Sequence, residues 1–203
     1  MDRRRFLRSS AGAAAGLTIV FAGLVAATMF APAESSAQSG PSMVILVRHA
    51  EKAAVPGDDP PLSDIGRVRA TALAEALATS PPTAIIVSSR QRTSLTAEAV
   101  MAKTRVVPLV ISLEGGGAAH IAAVAAAVRQ QQGVVLVVGH SNTTPAIIKA
   151  LGGPTLPDIC DATYSHFFVL TLANGAQPAA LTMSRFGAAE PAPPVSCAAM
   201  IPR

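Results

Sequence analysis

Arg48 and His49 stand where a short apolar run, Met43 to Val47, stops abruptly. A run that short, branched and apolar reads as a buried parallel strand. Ligands of open α/β sheets sit beyond the carboxyl ends of such strands. A cation beside an imidazole at that rim suits an anionic substrate, phosphate above all. The other reading of the pair is a solvated strand end with a capping Arg. Similar chemistry recurs twice downstream. Ala84 to Val87 runs into Ser88-Ser89-Arg90-Gln91-Arg92, and Val134 to Val138 runs into Gly139-His140-Ser141-Asn142. Two arginines and two histidines brought to one sheet edge fit a phosphoryl group. A guanidinium stays charged and offers two parallel donors to phosphoryl oxygens. No Cys/His spacing resembles a zinc site.

The elements between these strand ends alternate. Ala53 to Pro61 is a loop with three prolines and Gly57. Ser63 then reads as an N-cap with Asp64 in the first turn of a helix. Its apolar positions Ile65, Val68, Leu73 and Leu77 recur at helical spacing, and Pro81-Pro82 end it. A helix is expected from about Thr93 to Ala102. A third strand spans Val106 to Ile111, interrupted by Pro108 and so near an edge. Glu114-Gly115-Gly116-Gly117 reads as a flexible loop before a helix from about Ala118 to Gln131. Pro145 to Leu151 is a further helix, broken by Gly152-Gly153-Pro154. Phe167 to Leu172 is a strand, Asn174-Gly175 a turn, and Ala180 to Arg185 a candidate hairpin partner. The alternation predicts a three-layer α/β/α sandwich, a mostly parallel sheet with helices on both faces.

Four blocks in order carry a resemblance. Arg48-His49 with Glu51 resembles an R-H-G/A-E signature. Leu62-Ser63-x-x-Gly66-x-x-x-Ala70 resembles an L-T/S-x-x-G-x-x-x-A block. Ser88 to Ala97 resembles a second-arginine block, and Gly139-His140 a second-histidine block. The chain thereby resembles the histidine phosphatase superfamily, in its phosphoglycerate-mutase-like branch, from about Val44 to Leu172. That resemblance implies a phosphomonoesterase that passes through a phosphohistidine and uses no cofactor or metal. His49 would be the nucleophile, neutral, with one ring nitrogen donating to a backbone carbonyl. Arg48 and Arg92 would hold the phosphoryl oxygens, and His140 would stabilise them in the transition state. A general acid must protonate the leaving oxygen, and the resemblance implies a carboxylate from the loop after the third strand. Glu114 is the first candidate, in a place where the family supplies one. Glu51 is the second, unless it is a salt-bridge partner for an arginine. A phosphomutase is the alternative enzyme, disfavoured by the short gap from Arg92 to Glu114. A non-catalytic phosphate-binding module is the alternative outside enzymes.

Several neighbours have two readings. Ser141 and Asn142 either meet phosphate through backbone N–H groups at a helix start or cap that helix. Ser88 either holds Arg92 or terminates its strand. Lys52 either attracts an anion or is a solvated loop lysine. Tyr164 lines the substrate loop or packs, and His120 and His166 read as ordinary structural or surface residues.

The chain has 203 residues, half of them hydrophobic and only 14% charged. Part of that bias lies at the N-terminus, where Arg3-Arg4-Arg5-Phe6-Leu7-Arg8 precedes an uncharged stretch from Ser9 to Ala33. The pattern resembles a twin-arginine export signal, with Ala31-Pro32-Ala33 or Ser35-Ser36-Ala37 as its exit. An uncleaved membrane anchor is the alternative, since the stretch is long enough to span a bilayer. Either way the folded part is expected outside the cytoplasm, periplasmic or extracellular. Residues 1–37 hold four Arg and two acids, so without them the formal charge falls from +4 to +2. With one Tyr and that weak charge, no basic-aromatic surface for nucleic acid is expected. The expected partner is a small phosphorylated substrate or a phosphoprotein. Export permits a disulfide between Cys160 and Cys197, the alternative being two free thiols. The expected organisation is a signal and linker over 1–37, a catalytic domain over 43–186 and an irregular Pro/Ala-rich tail over 187–203.

Overall fold

A computed structural model describes residues 40–173, 177–190 and Cys197. The expected export signal, the Asn174-Gly175 turn and most of the tail lie outside these described residues. Among them, no helix is long and apolar enough to cross a membrane.

The chain runs β1 (Pro41–Arg48), α1 (Asp64–Ala76), β2 (Ala84–Ser88), α2 (Gln91–Thr104), β3 (Leu109–Ile111), α3 (Gly116–Arg129), β4 (Gly133–Gly139), α4 (Thr143–Ala150), β5 (His166–Thr171) and β6 (Ala180–Arg185). The strands form one sheet in the order β3-β2-β4-β1-β5-β6. β1 to β4 are parallel, β5 pairs antiparallel with β1, and β6 pairs antiparallel with β5. The sheet is therefore mixed, with the hairpin expected for Ala180 to Arg185 forming its edge.

Period-two alternation on the central strands makes the two cores. Val44 and Leu46 face one side, where Val124, Val128, Ile147 and Ile148 of α3 and α4 cover them. Ile45 and Val47 face the other, where Leu73 and Ala74 of α1 and Ala97 and Val100 of α2 lie. Both faces are buried, which is why β1 and β4 read as unbroken apolar runs.

Three expectations need correction. The third strand starts only at Leu109, because Pro108 has no N–H for the ladder. The glycine run after Glu114 is not a flexible loop. Gly115 and Gly116 take positive φ, 89° and 87°, and turn the chain straight into α3. Ile65 and Val68 are exposed, and α1 turns Gly66, Arg69, Ala70, Leu73 and Ala74 inward instead. The inward face is small and carries a charge because α1 packs its first turn against the end of β1. Ser63 caps α1 by accepting from the Gly66 amide at 3.1 Å, while its own hydroxyl donates to the Glu51 carbonyl.

Gly66 is the tightest point of that contact. A Cβ there would sit 2.2 Å from the Glu51 carbonyl oxygen, a backbone atom two residues past His49. Gly66→Ala should therefore cost about 1–3 kcal/mol, the usual range for overpacking. Urea denaturation of the variant checks this, and an unchanged midpoint would show that the helix can back away.

Candidate active site at three strand ends

The register aligns the site. Val47 pairs with Val138 and Val87 pairs with Val138, so the next row is Arg48, Gly139 and Ser88 across β1, β4 and β2. Beyond it the His49 amide donates to the Gly139 carbonyl at 2.9 Å. A cavity of about 390 Å³ opens there, lined among others by Arg48, His49, Arg92, His140, Ser141 and Asn142. A larger, more apolar cavity of about 600 Å³ lies between the ends of α1 and α2, but it gathers no comparable polar constellation.

His49 is buried, and its Nδ1–H donates to its neighbour's carbonyl, Ala50 O, at 2.8 Å. The lone pair on Nε2 is thereby left toward the cavity, without a hydrogen-bond partner among the described residues. Thr96 holds the strand end from below, accepting from the Ala50 amide at 2.9 Å. His140 lies across the cavity, its ring centroid 5.4 Å from that of His49. Arg92 Nη2 approaches His140 Nδ1 at 3.5 Å, so Nδ1 is the acceptor and Nε2–H donates to Ser88 Oγ at 2.9 Å. Ser88 thus orients His140 rather than Arg92, the role weighed for it from sequence. Burial pushes the His49 pKa down to about 3, and Arg48, His140 and Arg92 press the same way. Burial and Arg92 push His140 down to about 4. Both rings are neutral at neutral pH.

Each arginine is held by an acid that sequence reasoning missed. Asp59 accepts from Arg92 Nη1 at 3.2 Å and caps the α2 start through the Gln91 amide at 3.0 Å. Asp161 accepts from Arg48 Nη2 at 3.2 Å. Arg48 Nη1 also donates to the carbonyls of Cys160, Thr163 and Asp161 at 2.8, 3.0 and 3.1 Å. Tyr164 lies under the guanidinium, 4.3 Å from ring centroid to Cζ. The Nε atoms of Arg48 and Arg92 are both buried without a hydrogen-bond partner. Buried donors without acceptors are costly unless something arrives to accept. Lys52 and Arg90 complete the cationic lining. Nothing local in the sequence marks Asp59 or Asp161. Both sit in irregular loops, and only the tertiary fold brings them to their arginines.

The two candidate acids separate. Glu51 does not line the cavity: its carboxylate is gripped by Arg69, with Nε to Oε1 at 2.8 Å and Nη2 to Oε1 at 2.7 Å. The salt-bridge alternative for Glu51 is thus the one realised, through an arginine inside α1. Glu114 is exposed, outside the lining itself, while Leu113 and Gly117 on either side belong to it. Among the described residues the one carboxylate in the lining is Asp161. Lys52 lines the cavity as well as being exposed. Ser141 and Asn142 line it just before α4, and Asn142 makes no side-chain cap. His120 is buried, not at the surface, and its Nδ1 bonds the Ser112 carbonyl at 3.0 Å, tying down the loop before Glu114. His166 is likewise buried, stacked on Phe168.

The neutral histidines have a thermodynamic signature. Unfolded imidazoles take up protons near pH 6.5, whereas folded His49 and His140 wait until about 3 and about 4. In that window the unfolded chain binds more protons, so stability falls as pH drops below 6.5. The slope is about 1.4 kcal/mol per pH unit for each such histidine. Denaturant midpoints between pH 7 and pH 5 should fall, and less steeply in His49→Gln. An equal slope in the variant would refute the burial of a neutral His49.

Residues 44–114 match the family profile described as histidine phosphatase superfamily (branch 1). No curated protein matches the chain. Among solved structures, the protein histidine phosphatase SixA complexed with tungstate aligns with a TM-score of 0.55 at 19% identity, covering 70% of this chain and 96% of its own. A proposed phosphohistidine phosphatase SixA from Agrobacterium tumefaciens aligns with a TM-score of 0.52 at 24% identity, covering 73% and 99%. Another from Nakamurella multipartitia aligns with a TM-score of 0.50 at 27% identity, covering 72% and 96%. At such identities the first two show the shared fold alone. The profile match spans Arg48, His49, Glu51, Arg92 and Glu114, and with the shared sheet and helices it sets the chain alongside the histidine phosphatase superfamily, branch 1.

Proposed function

We propose that the protein hydrolyses phosphomonoesters through a phosphohistidine on His49. The observation that carries this is the His49 ring itself. Its Nδ1–H is committed to Ala50 O, which leaves Nε2 as a neutral nucleophile aimed into a cationic cavity. In the first step Nε2 attacks phosphorus and the ester P–O bond breaks. The leaving oxygen takes a proton from Glu114 or from water. In the second step water attacks the phosphohistidine, releasing inorganic phosphate and regenerating neutral His49.

The remaining residues follow from charge. Arg48 and Arg92, which line the cavity, hold the non-bridging oxygens. A dianion in the cavity favours a proton on His140, whose pKa in its absence is held down chiefly by burial. A charged His140 then donates to the transition state. Ser141 adds its backbone N–H at the approach to α4. Such chemistry needs no metal, because the arginines supply the positive charge. Lys52 and Arg90 at the rim draw in phosphorylated compounds or phosphoproteins.

The scarcity of carboxylates in the lining bears on the substrate. A site with a weakly placed acid works best on leaving groups that depart without full protonation, such as phenolates or the imidazole of a phosphohistidine. Transfer back to a sugar acid, as in a mutase, has no comparable feature in its favour. The N-terminal pattern supports an exported location, periplasmic or extracellular.

Assay of the mature protein with 4-nitrophenyl phosphate should show turnover, and His49→Ala should lower kcat by about 10³-fold or more. Acid quench of the wild type should trap an acid-labile phosphoenzyme. Turnover retained in His49→Ala would overturn the mechanism, and binding without any labelled intermediate would instead mark a phosphate-binding module. Glu114→Gln should slow alkyl phosphates more than aryl phosphates, and equal slowing would remove Glu114 as the acid.

A further inference from the structure

The disulfide between Cys160 and Cys197 lies at the loop that holds Arg48. The two Cα atoms are 5.4 Å apart, and the bond joins residues 37 apart in sequence. Cys160 is itself one of the partners of Arg48, through its carbonyl at 2.8 Å. The other partners are the Asp161 and Thr163 carbonyls, the Asp161 carboxylate and the Tyr164 ring, all within the next four residues. Residues 153–165 form no helix or strand, so no ladder fixes this cradle from within. What fixes it is tertiary. The Ile159 amide donates to Ser141 O at 2.8 Å, and Glu190 accepts from the Tyr164 amide and from Ser165 Oγ at 2.7 Å. Between those two ties the covalent one is Cys160 to Cys197.

Three carbonyls converging on one nitrogen are a demanding arrangement. Without a restraint, each would gain as much by turning to water. With Nη1 occupied by carbonyls, the guanidinium is fixed with its Nε still unpartnered. A cradle that drifts lets Arg48 drift with it, and its guanidinium loses its fixed place in the cavity lining.

We propose that the Cys160–Cys197 disulfide is a positioning element of the phosphoryl site, which locks the 160–164 cradle on Arg48 and so makes phosphate affinity depend on the oxidation state of that bond. This role rests on Arg48 binding the phosphoryl group, as proposed above. Reduction by a dithiol breaks the S–S bond, passes two electrons and two protons to Cys160 and Cys197, and leaves the reductant as its own disulfide.

The test compares the oxidised wild type with Cys160→Ser/Cys197→Ser. Inorganic phosphate binding is measured by titration calorimetry, KM and kcat with 4-nitrophenyl phosphate, and folding by circular dichroism. The folded double variant should bind phosphate about fivefold or more weakly, with KM raised more than kcat is lowered. A folded variant with unchanged phosphate affinity overturns the proposal. Phosphate binding is read without turnover, so a wild type that binds phosphate but hydrolyses nothing would overturn the phosphatase assignment and leave this test intact. Linkage gives a second measurement on the wild type alone. If the disulfide tightens phosphate binding, saturating phosphate must make the disulfide harder to reduce by the same factor. An equilibrium with dithiothreitol that phosphate does not shift would overturn the proposal even if the double variant fails to fold.

Discussion

Two guanidinium groups placed beside two buried imidazoles form the constraint on which the rest depends. Arg48 is almost wholly buried, and burial penalises the charge on both it and Arg92. A buried cation persists only where acids and dipoles offset its lost hydration. For Arg48 those are three carbonyls, the Asp161 carboxylate and the Tyr164 face. For Arg92 the partner is Asp59. Each offset comes from a loop far away in sequence, so the fold must close before the charges are tolerated. Burial first, and the same positive surroundings second, hold His49 and His140 neutral.

A second network braces the first from behind. Arg69, buried in α1, grips Glu51 at the end of β1 and donates to the Phe186 and Ala188 carbonyls beyond β6 at 3.1 Å each. Its Nη2 also lies 3.6 Å from Glu190, which holds Tyr164 and Ser165. The chain of contacts therefore runs from the residue two past His49, through α1, to the loop that cradles Arg48. Gly66 and Gly187 share this logic. One lets α1 close on the Glu51 carbonyl and the other makes room for the Arg69 side chain. Removing either partner of a buried pair strands the other, so this brace is more important for geometry than for net stability.

Strand-end chemistry was readable because it follows from periodicity. Met43 to Val47 and Val134 to Val138 are apolar without a break, and the polar residues that stop them must lie at the rim. That rule places Arg48, His49, Arg92 and His140 at one sheet edge, the strand–helix alternation carries the fold class, and the four ordered blocks add the family resemblance. What stayed hidden was tertiary. The sequence spacing of Ile65 and Val68 fits a buried face as well as Arg69 and Ala70 do. Only the need of Glu51 for a cation, and the close approach at Gly66, decides which face turns inward. Asp59 and Asp161 were illegible for the same reason: loops carry no period, and a carboxylate in one gives no sign of its partner. The disulfide stood between, since export chemistry permitted it while only the fold brings Cys160 and Cys197 together.

The division of labour between Glu51 and Glu114 shows how the fold sorts similar groups. Both are carboxylates close in sequence to cavity residues. Glu51 directly follows the strand end, and with α1 pressed against its carbonyl its side chain has Arg69 as the nearest cation. Bidentate pairing there commits both of its oxygens to accepting from Arg69. Glu114 follows a short exposed edge strand and precedes two glycines in positive φ; among the described residues its side chain has no such partner, and Leu113 and Gly117 on either side line the cavity. Proton delivery from Glu51 would cost its pairing with Arg69, a cost that does not fall on Glu114.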